Sequence, residues 1–176
     1  MIITSAGGDY IDAGIIGGSP AHGAEPRFYT SGPHADVMNE LDGKGIGIRN
    51  VGGEIGRASS IKMCYASFTK GTSALQVAMM TAAQSLGVFN ELVAELRFSQ
   101  EANLTSMESN VPRLPSNAGR WIGEMEEIAA TFASTGVTPY FHKGAADIFN
   151  LLESTPLAQE SPETIDQSRT LTETIK

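Results

Sequence analysis

The sequence predicts a mainly helical protein, in which a small α/β portion (residues 1–54) precedes an all-helical portion (residues 55–176). Three observations predict it. Thirteen of the 19 glycines lie at or before Gly56, and glycine is unfavourable inside helices but frequent in turns. Apolar runs before Gly56 are short and rich in β-branched residues, whereas those after it recur at helical spacing. Hydrophobic residues make up 41% of the chain, enough for a core and too many for wholesale disorder.

The elements follow in order. Tyr10–Ile16 is an apolar run ending in Gly17-Gly18-Ser19-Pro20, a strand and then a loop. Arg27–Thr30 is a second short strand, stopped by Ser31-Gly32. Pro33 suits the first turn of a helix reaching Leu41. Ile46–Val51 is a third strand, ended by Gly52-Gly53. This strand–helix–strand rhythm points to an α/β sheet. Three short strands and one helix cannot cover both faces of a parallel sheet, so residues 1–54 read as the trailing piece of a larger domain. A long helix is expected from Ile55 to Leu86, with Gly87 as its stop and Gly71 inside it at a cost of about 1 kcal/mol relative to alanine. Ala74–Ala83 is apolar on nearly every side, as in a buried central helix. Further helices are expected over Val88–Phe98 and within Gln100–Asn110. Another follows from an N-cap at Ser116 to Gly136, and one more from Thr138-Pro139 to Leu152. A short helix after Ser161-Pro162-Glu163 closes the series. Trp121, Met125, Ile128 and Phe132 fall at i, i+4, i+7 and i+11, a single-face stripe that predicts core.

Composition excludes several functions. A net charge of −8 and a pI near 4.8 argue against nucleic-acid binding and against an anionic membrane surface. One cysteine, Cys64, excludes an internal disulfide framework and a cysteine-based zinc site. His22, His34 and His142 share no ligand spacing, so no metal is expected. Nothing at the start reads as a basic secretory leader, and no run approaches a membrane span, which fits a cytoplasmic protein. Ser19 and Ser31 have no evident histidine and carboxylate partners for a hydrolase triad. Gly43-Lys-Gly45-Ile-Gly47 precedes a strand and opens no helix, so it is rejected as a phosphate loop.

Lys62 stands near the start of the long helix, with Ser59, Tyr65, Ala66 and Thr69 on its face. A lysine amine there either snorkels to water or is used for proton transfer. Lys70 lies about 12 Å further along the axis, too far to share one substrate hydroxyl. Cys64 is about 200° round the helix from Lys62 and is expected in the core. Glu124 and Glu127 read as a solvated helix face.

Three segments carry a resemblance. Asp12-Ala-Gly-Ile-Ile-Gly17-Gly18, Phe28–Gly32 and Gly53–Lys62 resemble, in order, the substrate-binding strand end, the following strand and the lysine segment of the β-hydroxyacid and 6-phosphogluconate dehydrogenase superfamily. The run Arg120-Trp-Ile-Gly-Glu-Met-Glu-Glu-Ile-Ala, with Lys70-Gly71 and Gly144-Ala145-Ala146, looks most like one subgroup. That subgroup comprises phosphogluconate-dehydrogenase-like NAD-binding proteins with an uncharacterised C-terminal domain. The resemblance implies an oxidoreductase that moves hydride between NAD or NADP and a small hydroxy acid. It makes Lys62 the proton donor or acceptor and Gly17 and Gly18 backbone donors to substrate, and it puts Tyr65 at the substrate. It also implies a homodimer through the helical portion, and a chain missing its N-terminal nucleotide-binding half. No G-x-G-x-x-G followed by an acidic residue about 20 positions on is present, so weak or no cofactor binding is expected of this chain alone. Several positions depart from the family. Its serine before the paired glycines is Ile16, and its asparagine four residues after the lysine is Ala66. The rival reading, from another class, is a non-catalytic helical dimerisation or interaction module.

Overall fold

The computed structural model describes residues 2–20, 23–161 and 163–175. His22 and Pro162, both named above, lie outside them. Two compact units divide the chain, Met1–Tyr65 and Ala66–Lys176.

The first unit opens on the short helix α1 (Ile2–Ser5) and holds a three-stranded sheet in the order β1-β2-β3. Strand β1 (Asp12–Ile16) alternates buried and exposed along its length, so Asp12, Gly14 and Ile16 face inward. Strand β2 is Arg27–Ser31 and β3 is Gly47–Asn50. The pairing departs from an all-parallel rhythm: β1 and β2 are antiparallel, and only β2 and β3 are parallel. Connection length accounts for this, because the short link between β1 and β2 allows direct reversal, whereas β2 to β3 is a crossover. The crossover is a 3-10 helix over Ala35–Leu41 rather than an α-helix. It has no side-chain cap at His34, and the carboxylates of Asp36 within it and of Asp42 just beyond it bond to β3. Asp36 accepts from Asn50 Nδ2 at 2.6 Å, and Asp42 accepts from the Ile48 amide at 2.7 Å. The unit ends with the first turns of helix α2 (Arg57–Ser85), which continues into the second unit.

The second unit is mainly helical: the remainder of α2, α3 (Phe89–Ser99), α4 (Glu101–Asn110), α5 (Pro115–Ser134), α6 (Tyr140–Glu153) and α7 (Leu171–Ile175). Gly87, at φ 72°, turns the chain out of α2 as a glycine can and a side chain resists. In α2 the buried positions are Ala74, Val77, Met80 and Ala83, while Leu75 and Ala82 are exposed. The expected all-round burial of this stretch is therefore corrected to one covered face. Helices α5 and α6 pair through Met125, Ile128 and Ala129 on one side and Ala145, Phe149 and Leu152 on the other. Of the predicted stripe, Met125 and Ile128 are buried, and Trp121 meets Phe149 edge-on with centroids 5.2 Å apart. Ser116 is not a cap. Pro115 already occupies the first turn, and the Ser116 hydroxyl donates back to the Arg113 carbonyl at 3.0 Å. The last helix starts later than expected, behind a capping box: the Thr170 amide donates to Glu173 at 2.8 Å, and the Glu173 amide to Thr170 Oγ1 at 3.2 Å. Among the described residues no helix is long and apolar enough to cross a membrane.

Candidate functional site

The first unit's chemistry is organised by Asp12. Asp12 is 4% exposed. Oδ2 accepts from Ser31 Oγ at 2.8 Å, the Gly56 amide at 3.0 Å and the Ser59 amide at 3.1 Å, and Oδ1 accepts from Ser59 Oγ. Ser31 Oγ in turn accepts from the Ala58 amide at 3.1 Å. Two of the donors are amides at the start of α2, Gly56 just before it and Ser59 within its first turn, so a carboxylate 44 to 47 positions earlier caps that helix. Burial pushes the Asp12 carboxyl up, but the hydrogen bonds from Ser59, Ser31 and Gly56 outweigh it and hold the group below its ordinary value. Its signal in the sequence was indirect. Glu54-Ile-Gly56 offers no Ser, Thr, Asp or Asn at the cap position of α2, so the cap had to come from elsewhere.

Gly14 sets where Lys62 stands. A Cβ at Gly14 would lie 2.6 Å from the Ala58 carbonyl oxygen and 3.0 Å from Lys62 Cβ. The helix thus lies directly on β1, with the stem of Lys62 against the strand and its side chain half-buried. Gly17, at φ 123°, ends β1 in a conformation that favours glycine, 3.2 Å from Pro26 Cα when a Cβ is placed on it. Gly17 and Gly18 are both exposed. Tyr65, on the same helix, is 48% exposed. Cys64, expected in the core, is exposed instead. The face of α2 that lies on β1 is taken by Ala58 and Lys62, and Cys64 points away from it.

In the second unit, Glu124 corrects the expectation of a solvated face. It forms an ion pair with Lys70, both side chains being 17% exposed, and Lys70 Nζ also sits 5.5 Å from the Trp121 ring centroid. Glu127 is exposed, as expected. His142 is buried on α6, its ring tilted against Phe132 at 4.4 Å, and burial lowers its pKa. His34 is at the surface, 3.2 Å from Asp9.

A nicotinamide dinucleotide needs a strand–glycine turn–helix unit whose helix amides hold the pyrophosphate. Among the described residues, β3–Gly52-Gly53–α2 is built that way. Its helix amides are already bonded to Asp12 and Ser31, and a second anion there would meet the Asp12 carboxylate. These residues do not fit the cofactor's pyrophosphate.

Comparison with known proteins adds to this geometry. Residues 83–152 match the family described as Domain of unknown function (DUF1932). The chain is 25% identical over 145 residues to the uncharacterized 28.5 kDa protein in the 7S RNA 5′ region of Methanothermus fervidus, covering 82% of this chain and 57% of that protein. Among solved structures it is similar to the conserved protein MTH1747 of unknown function, described as structurally similar to 3-hydroxyacid dehydrogenases. The identity is 29% and the TM-score 0.66, over 88% of this chain and 60% of the other. It also shares its fold with a conserved hypothetical protein from Sinorhizobium meliloti 1021, at 19% identity and TM-score 0.73, over 96% and 56%. The likeness to dehydrogenase-like proteins read from the sequence is therefore found, as is the small sheet ahead of a helical portion. The chain spans less than two thirds of the length of each of these relatives.

Proposed function

We propose that this chain carries the proton-transfer and substrate-holding part of a cytoplasmic oxidoreductase acting on small hydroxy acids with NAD or NADP. Residues 1–54 would be the end of a Rossmann-type domain and 55–176 the substrate and dimer domain. The observation that carries the reading is the contact between Gly14 and Lys62, which fixes the lysine against the strand that ends in Gly17-Gly18. In this reading Lys62 Nζ takes the proton of the substrate hydroxyl during oxidation and returns it during reduction. The backbone amides of Gly17 and Gly18, two exposed residues, hold the acid, with Tyr65 beside it. The cofactor's pyrophosphate is held elsewhere than at the turn before α2, which is filled by Asp12.

The test is Lys62→Ala in the chain joined to the nucleotide-binding portion of a relative. Turnover of hydroxy acids should fall about a hundredfold or more, the usual scale for a general acid–base group. Lys70→Ala serves as the control. Loss of turnover in Lys70→Ala with Lys62→Ala unaffected would assign the role to the wrong lysine, and no effect of either would sink the mechanism.

One observation favours assembly as well. Phe68 and Leu75 on α2, with Tyr140 and Phe141 on α6, are each between 70% and 80% exposed around a groove of ≈640 Å³. Their exposed area is on the order of 500 Å², against about 800 Å² per partner in a standard interface. We propose a homodimer through this helical face. Sedimentation should show a dimer, and a monomer at high micromolar concentration would refute it.

A further inference from the structure

The sheet face that meets α2 also carries two arginines, Arg27 and Arg49. Residues paired in register share a face. Asp12, Gly14 and Ile16 of β1 therefore stand with Arg27, Tyr29 and Ser31 of β2 and with Gly47 and Arg49 of β3. Gly47 leaves a gap between the two arginines. A Cβ there would be 3.9 Å from Arg27 Cγ and 3.9 and 4.0 Å from the terminal nitrogens of Arg49. The Arg49 guanidinium is thus folded back over Gly47, beside the stem of Arg27. It donates one hydrogen bond, from Nη1 to the Ile48 carbonyl at 2.8 Å.

Acidic residues outnumber basic ones 20 to 12 in this chain. Even so, among the described residues neither Arg27 nor Arg49 forms an ion pair. Like charges on adjacent strands repel. Guanidinium groups are the donors best matched to a two-oxygen face of a carboxylate or phosphoryl group. The pair also adjoins the candidate substrate loop. Ile16 registers with Arg27, and a Cβ on Gly17 would be 3.8 Å from the Arg27 amide nitrogen.

We propose that Arg27 and Arg49, flanking Gly47, form a binding site for an oxyanion group, either a carboxylate or a phosphoryl. Its assignment to a second anionic group of the hydroxy acid rests on the function proposed above. The binding of an oxyanion does not.

The probes are inorganic phosphate and succinate, titrated by calorimetry into this chain at low ionic strength. Saturable binding is expected, tighter for phosphate if the group is phosphoryl and for succinate if it is carboxylate. Arg27→Gln or Arg49→Gln should each weaken it about tenfold or more, and the double variant should abolish it. Arg97→Gln, which removes the partner of Glu108, should leave it unchanged; binding is read without turnover, so this site and the proton-transfer reading fail separately. In the unsubstituted chain, the better probe should protect Arg27 and Arg49, but not Arg97, from phenylglyoxal. That measurement decides the matter even if a variant misfolds. Absence of saturable binding of both probes, undiminished binding in the folded double variant, or no selective protection would overturn the proposal.

Discussion

Replacing Asp12 should loosen the start of α2 and the whole first unit. The carboxylate accepts four hydrogen bonds, and the residue is 4% exposed. Bonds to a charged acceptor contribute about 1.5–3 kcal/mol each, but they share one group and do not add. Asp12→Ala strands two helix amides and two hydroxyls. Its expected cost is about 3–5 kcal/mol, the scale of breaking a buried charged network. Asp12→Asn keeps one acceptor oxygen for Ser31, Gly56 and Ser59, and the Ser59 hydroxyl can reverse to accept. It loses the charge at the helix N-terminus, so about 1–2 kcal/mol is expected. Urea denaturation followed by far-ultraviolet circular dichroism measures both. The pH dependence supplies an independent check. Because the folded pKa is lowered, the unfolded chain binds a proton at this site before the folded one does. The stabilisation is complete above the ordinary aspartate pKa and is lost as pH falls through the folded value. The difference between parent and Asp12→Asn should therefore shrink across that acidic window. A cost under about 0.5 kcal/mol for Asp12→Ala, or identical acid profiles for parent and Asn variant, would refute the reasoning.

Two further outcomes follow from packing. Gly14→Ala should destabilise by about 1–3 kcal/mol, the scale of overpacking, because its Cβ would meet the backbone oxygen of Ala58 rather than a movable side chain; a neutral result by denaturation would deny that α2 lies on β1. His142→Phe should flatten the fall in stability below about pH 6.5. Burial keeps His142 neutral in the fold while the unfolded chain protonates, so this contribution is complete above the unfolded pKa and falls as pH drops towards the folded value. An unchanged slope on heating at stepped pH would place the titration elsewhere.

Local signals fixed the helical portion. The spacing of Met125 and Ile128, the apolar face through Val77 and Met80, and the stop at Gly87 are all properties of a few neighbouring residues, and each stands where the periodicity puts it. Lys62 on the first turns of a long helix was equally legible, because helix position follows from sequence spacing. Chain reversal was not: β1 pairs antiparallel to β2, which no strand's own composition records. Nor were the partners of charged groups. Asp12 finds its donors 44 to 47 positions away and Glu124 finds Lys70 across 54, whereas a sequence shows only that a carboxylate exists and not what it meets. The facing of Cys64 and the Arg27–Arg49 pair belong to the same group. Which side of α2 is covered, and which strands lie side by side, is decided by packing between elements, and only the tertiary structure holds that information.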